Sequence, residues 1–176
     1  ARQQASLRRV LVAMGGSDPP DATSAALRAL AGSPDAQALE VSIVLGSQAP
    51  ALAQVQALLP ALPFATRLLV DSRDMAGELS GCDFAIGAGG GGALERCCLG
   101  VPSLTVVLAE NQRGGSRALA EAGATLLADS PGALASDVPH ALAQFSSPAR
   151  LRGMSAAAAA LVDGQGADRI AAAMLA

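Results

Sequence analysis

Short apolar runs alternate along this chain with longer stretches in which apolar positions recur every three or four residues. The short runs cover residues 9–13, 40–45, 66–70, 84–86, 103–108 and 125–127. Most lack polar alternation, which predicts strands covered on both faces. Between them, residues 22–31, 51–59, 75–80, 93–99 and 116–122 predict helices; Leu27 with Leu30, and Leu52, Val55 and Leu59, fall at helical spacing. Residues 131–176 read as two or three further helices, one over 166–175. Repeated strand–helix alternation predicts an α/β, Rossmann-like, three-layer, doubly wound parallel sheet of about six strands. Residues 1–6 are polar and read as a linker remnant, and residues 7–176 as one domain without an internal boundary.

The 176-residue length suits one domain with its own core. Composition narrows the function classes. Hydrophobic residues reach 51%, charged residues only 15%, and aromatics 2%. The composition argues against disorder, and the core is expected to rest on Leu, Val, Ile and Ala. Stacking platforms for single-stranded nucleic acid are missing, and a net charge of −3 provides no phosphate-tracking surface. No nucleic-acid partner is expected. No apolar stretch approaches the ~20 residues needed to span a bilayer. No signal-peptide pattern is present, and Ala1 in place of Met raises the expectation of a longer parent chain. Three cysteines, two of them adjacent, make a poor disulfide framework, so a cytoplasmic location is expected.

The candidate chemistry lies at strand ends. Gly87-Ala88-Gly89-Gly90-Gly91-Gly92 follows an apolar run and precedes a helical segment. Backbone without Cβ atoms can turn several N–H groups onto one anion beside a helix N-terminus. Four successive glycines are entropically costly for a short turn, which argues for a function; apparent burial of Ile86 and Leu94 argues for order. Gly15-Gly16-Ser17-Asp18-Pro19 is a second such turn. It lacks the Gly-Lys-Ser/Thr ending of a P-loop, so phosphate binding and a plain strand-to-helix turn both stand. In doubly wound sheets, ligands bind beyond the carboxyl ends of the strands, where both turns sit.

Glu95 has two readings. With Gly92 as N-cap it would sit at N3 and satisfy free amides; alternatively it would accept hydrogen bonds from ribose hydroxyls. Residue chemistry alone leans to the cap. Asn111 and Gln112 follow another strand and suit sugar hydroxyls or N-acetyl groups, with capping by Asn111 as the bland alternative. His140 reads as solvated, and Cys97 and Cys98 as buried small hydrophobes. No nucleophile–base–orienter set appears, so catalytic residues stay unassigned. No metal-ligand spacing appears either, and neither metal nor cofactor is expected.

Ala85-Ile86-Gly87-Ala88-Gly89-Gly90, continued by Glu95-Arg96-Cys97-Cys98-Leu99-Gly100-Val101-Pro102, resembles a known family. So do Val106-Val107-Leu108-Ala109-Glu110-Asn111-Gln112, Gly15-Gly16-Ser17-Asp18-Pro19 and the closing Asp163-Gly164-Gln165-Gly166-Ala167. Together they resemble the UDP-sugar hydrolase of pseudaminic acid biosynthesis and its spore-coat polysaccharide relatives. The layout is more distantly similar to the nucleotide-binding half of GT-B glycosyltransferases.

The resemblance implies one half of a GT-B fold, the carboxy-terminal domain that holds UDP. An amino-terminal domain of the same protein would carry the catalytic base, so this chain is expected to bind without turnover. Gly15, Gly16 and Ser17 would face the diphosphate, and Gly89, Gly90 and Gly91 would cradle it. Glu95 would bind the ribose, reversing the lean to the cap. Residues 70–75, ending at Met75, would meet the uracil through backbone, and Asn111 and Gln112 would reach the sugar or phosphates. The family's reaction releases UDP from a 2,4-diacetamido-2,4,6-trideoxyhexose. The chain departs from the family where Ser/Thr and Trp usually stand, carrying Gly91, Gly92, Ala93 and Leu94 instead. Losing one or two hydroxyl hydrogen bonds there would cost about 1–3 kcal/mol if the partners stay unsatisfied. A GT-B glycosyltransferase donor domain and a non-catalytic nucleotide-sugar module are the alternative functions.

Overall fold

The computed structural model describes residues 7–175; the expected linker remnant, residues 1–6, lies outside them. Six strands form one parallel sheet: β1 (Arg9–Ala13), β2 (Glu40–Leu45), β3 (Ala65–Val70), β4 (Phe84–Ala88), β5 (Ser103–Val106) and β6 (Leu126–Ala128). Their order, β3-β2-β1-β4-β5-β6, reverses between β1 and β4. Val10 pairs with Phe84 and Ala13 with Gly87, which sets the two strand ends side by side. The helices are α1 (Ala22–Ala31), α2 (Leu52–Leu58), α3 (Met75–Gly81), α4 (Gly91–Cys98), α5 (Glu110–Glu121), α6 (Leu134–Gln144), α7 (Pro148–Leu161) and α8 (Gly166–Leu175).

Strand periodicity distributes the core over both faces. Val10 and Val12 join a large cluster with Leu27, Leu30, Leu134 and Phe145 from α1, α6 and the residue closing α6. Leu11, between them in sequence, packs on the opposite face with Leu79 of α3 and Ala85. A third cluster joins Cys97 of α4 to Ala158 of α7. Phe84 and Phe145 stack tilted with ring centroids 5.2 Å apart. Three layers follow, with β1 and β4 at the centre.

Three local expectations need correction. The helix after β5 begins at Glu110, six residues before the expected start, and runs through Gly114 and Gly115. Within this stretch Arg113 pairs with Glu110 one turn earlier and with Asp129 beyond β6, contacts that offset part of glycine's poor helix propensity. Leu94 is 53% exposed rather than buried. Cys98 is exposed while Cys97 is buried, because one residue on a helix turns the side chain by about 100°.

Candidate functional site

A cleft of about 390 Å³ opens where the strand order reverses, at the carboxyl ends of β1 and β4. Its size is that of a small-molecule pocket, at the place where doubly wound sheets hold ligands. Gly15 and Gly16 line it beyond β1, and Gly46 beyond β2. Asp71, Ser72 and Met75 follow β3, while Gly92, Glu95 and Arg96 come from α4. Leu11, Ala13 and Ala85 form its apolar floor.

The loops beneath the cleft are tied to one another. The Gly46 amide donates to the Gly16 carbonyl at 3.0 Å. A Cβ on Gly46 would stand 2.5 Å from that oxygen, so only glycine allows this approach. The Ser47 amide donates to Asp71 Oδ1 at 2.9 Å, and hydrogen bonds from Ser47 hold the Asp71 carboxyl below the ordinary carboxylate range. Asp71 adopts a left-handed conformation to do this, with φ 53. Gly46 escaped the sequence reading, although the same strand-then-glycine pattern marked it.

The two helix N-termini at this edge differ. At α1, the buried Asp18 carboxylate accepts from the Ala22 and Thr23 amides at 3.0 and 2.8 Å, and Asp21 accepts from Ser24. This N-terminus already holds a negative charge and offers little to a second anion. Around Ser17, only the glycine turn itself is left for a ligand. At α4, Gly90 is the N-cap and no side chain caps it. The Ala93 amide turns back onto the Gly90 carbonyl at 2.9 Å, which leaves the Gly91 and Gly92 amides as the open ones at this end.

This placement changes the reading of Glu95. With Gly90 as N-cap, Glu95 is the fifth helical residue rather than the third, one turn away from the free amides. Its side chain makes no hydrogen bond among the described residues, and the residue is exposed and lines the cleft. Asn111 is not a cap either: the N-cap of α5 is Ala109 and no side chain bonds there. The Asn111 side chain is exposed and unengaged among the described residues. Gln112 is committed through its carbonyl, accepting from the Leu108 amide at 3.0 Å, while its amide end points towards Gly90.

Of the residues singled out in the sequence, the structure gathers Gly15, Gly16, Met75 and Glu95 around the cleft. Ser17, Gly89, Gly90, Gly91, Asn111 and Gln112 do not line it. Gly89 lies under α5: a Cβ there would stand 2.2 Å from the buried Ser116 Oγ, which has no hydrogen-bond partner among the described residues. Gly91 faces open space. The sequence reading missed Arg96, which is buried, and loss of water brings its guanidinium down to about 10. Its signal was present: it stands between Glu95 and Cys97, on the inward side of an amphipathic helix.

No family model matches the chain. It is 34% identical over 119 residues to the spore coat polysaccharide biosynthesis protein SpsG of Bacillus subtilis (strain 168), covering 68% of this chain and 35% of that protein. The chain thus spans about a third of the length of this curated relative. Among solved structures it is similar to Acinetobacter baumannii MurG, with TM-score 0.76, 20% identity, and coverage of 96% of this chain and 49% of MurG. It is similar to the spinosyn rhamnosyltransferase SpnG complexed with thymidine diphosphate, with TM-score 0.67, 28% identity, and coverage of 91% and 42%. The same fold recurs in WaaG, a glycosyltransferase of lipopolysaccharide biosynthesis, with TM-score 0.70, 17% identity, and coverage of 93% and 44%. The domain matches one half of a GT-B glycosyltransferase. This GT-B-like domain is distantly homologous to SpsG, and among its described residues no helix is long and apolar enough to cross a membrane.

Proposed function

We propose that this chain is the UDP-sugar-binding domain of a nucleotide-sugar hydrolase. The parent protein would release UDP from a diacetamido-trideoxyhexose in pseudaminic-acid-type nonulosonic acid biosynthesis, in the cytoplasm. The observation that carries the nucleotide reading is one cleft that joins an uncapped helix N-terminus to an unengaged carboxylate. The amides of α4 suit phosphate oxygens, and Glu95 suits vicinal ribose hydroxyls. Ser72 and Met75, across the apolar floor, suit a flat base. Ser17, Gly89, Gly90 and Gly91 would then border the diphosphate, with Asn111 and Gln112 towards the sugar. Similarity to SpsG supports a role in surface polysaccharide precursors. An amino-terminal domain of the same protein would supply the catalytic base and close the site.

The likeness to several glycosyltransferases favours a second reading, a donor domain that passes the sugar to an acceptor. Both readings need the same nucleotide site. They separate in the parent protein, where a hydrolase liberates free sugar from the UDP-sugar without any acceptor.

Calorimetric titration with UDP, UDP-N-acetylglucosamine and CMP tests the shared site. UDP and the UDP-sugar are expected to bind below millimolar concentration, and CMP about tenfold or more weaker, a difference of about 1.4 kcal/mol. A folded chain that binds none of them at millimolar concentration removes both readings.

A further inference from the structure

Arg96 is an enclosed cation with no carboxylate in contact among the described residues; the neighbouring Glu95 acts on it only through space. Its residue is 4% exposed. Nη2 donates to the carbonyls of Gly87 and Ala88, at 3.4 and 3.0 Å, and to Thr105 Oγ1 at 3.0 Å. All three acceptors are neutral. Nε is buried with no hydrogen-bond partner among the described residues. Helical side chains lean towards the N-terminus of their helix, so Arg96 reaches back under the opening turn of α4. Nη1 lies 3.7 Å from where a Cβ on Gly92 would stand and 2.5 Å from one on Gly87. Arg96 is one of the residues lining the cleft, with Gly92 and Glu95.

Three features therefore coincide under one glycine turn: the amides of Gly91 and Gly92, the positive end of a helix dipole, and a buried arginine with no carboxylate in contact. We propose that Arg96 is the fixed counter-charge of the ligand's diphosphate and sets a preference for nucleoside diphosphates over uncharged nucleosides. The proposal rests on the nucleotide reading above and adds the residue that selects charge. Glu95 recognises ribose and is indifferent to the number of phosphates. Asp18 makes the opposite helix end acidic, so a diphosphate in this cleft finds its compensating charge on the α4 side. The bonds made by Nη2 also clamp the end of β4 to β5. A clamp alone would not distinguish a charged ligand from a neutral one.

The test compares UDP with uridine, titrated into the 176-residue chain and its R96Q and R96K variants, each checked for folding by circular dichroism. The wild-type chain is expected to prefer UDP to uridine by about a hundredfold. R96Q should cut that preference by about tenfold or more while uridine affinity stays within about threefold, and R96K, which keeps the charge, should restore most of it. Should R96Q fail to fold, ¹⁵N spectra of the arginine Nε–H groups in the wild type take its place. There, UDP but not uridine should shift the signal that R96K removes. An unchanged UDP-to-uridine ratio in R96Q, an equal loss of both ligands, or an Nε–H signal unmoved by UDP overturns the proposal. A wild-type chain that binds neither ligand removes the nucleotide reading and this inference with it. Binding of UDP by the wild type with an unchanged ratio in R96Q removes the inference alone.

Discussion

At the scale of the residue, the decisive change concerns Glu95. As a string of letters, a glutamate three positions after a glycine reads as a capping carboxylate. The helix begins at Gly91, and the difference of two residues moves Glu95 from the free amides to the cleft wall. Replacing it by Gln should therefore cost little stability, within about 0.5 kcal/mol as for other exposed positions. UDP affinity should fall by about tenfold or more, through loss of a charged acceptor for ribose. Denaturant unfolding and calorimetry on the same sample check both halves. A loss of one to two kcal/mol in stability (the size of about one cap) with affinity intact would return Glu95 to a structural role.

Elements show why the glycines are not equivalent. Gly46 lets the loop after β2 press on the loop after β1, whereas Gly91 faces open space at the first position of α4. Gly46→Ala should destabilise the domain by about 1–3 kcal/mol and weaken UDP binding, because the Gly16 carbonyl must move. Gly91→Ala meets no atom and should leave stability the same or raise it by up to about 1 kcal/mol. Thermal unfolding of the two variants against wild type distinguishes them. Equal destabilisation would mean that the glycine run, rather than the approach of two loops, sets the geometry. The contrast between α1 and α4 belongs to this scale too. Two strand–glycine–helix units look alike in sequence, yet Asp18 fills the N-terminus of α1 while no side chain caps that of α4.

Across the whole molecule, α6 returns to the α1 face and buries Phe145 against Phe84 at the start of β4. This ring joins the C-terminal helices to the strand that carries the glycine turn. Truncating it, Phe145→Ala, should cost about 3–5 kcal/mol, the usual range for a buried aromatic. Chemical denaturation should then show one cooperative transition at lower midpoint. Separate early loss of the helices after β6, with the sheet retained, would contradict a shared core.

Much of this architecture was legible from the chain because periodicity acts locally. Continuous apolar runs mark strands covered on both faces, and every strand falls within two residues of its expected bounds. The helical character of residues 131–176 and the bounds of the last helix also follow from pattern, while the pattern leaves their number at two or three. The start of α5 did not, since Gly114 and Gly115 argue against a helix that the Arg113 pairs with Glu110 and Asp129 help to support.

By itself, the sequence determined the alternation of strands and helices and the glycine turns at strand ends. Those properties depend on spacing and residue type within a few positions. Only the tertiary structure decided that the Glu95 side chain lines the cleft, that Asp18 closes α1, that Gly46 touches Gly16, and that Arg96 is buried with Nε unpartnered. Each depends on groups brought together from separate elements, and on where a helix actually begins. Hydrogen-bond satisfaction and desolvation are set by three-dimensional neighbours, which no local pattern contains.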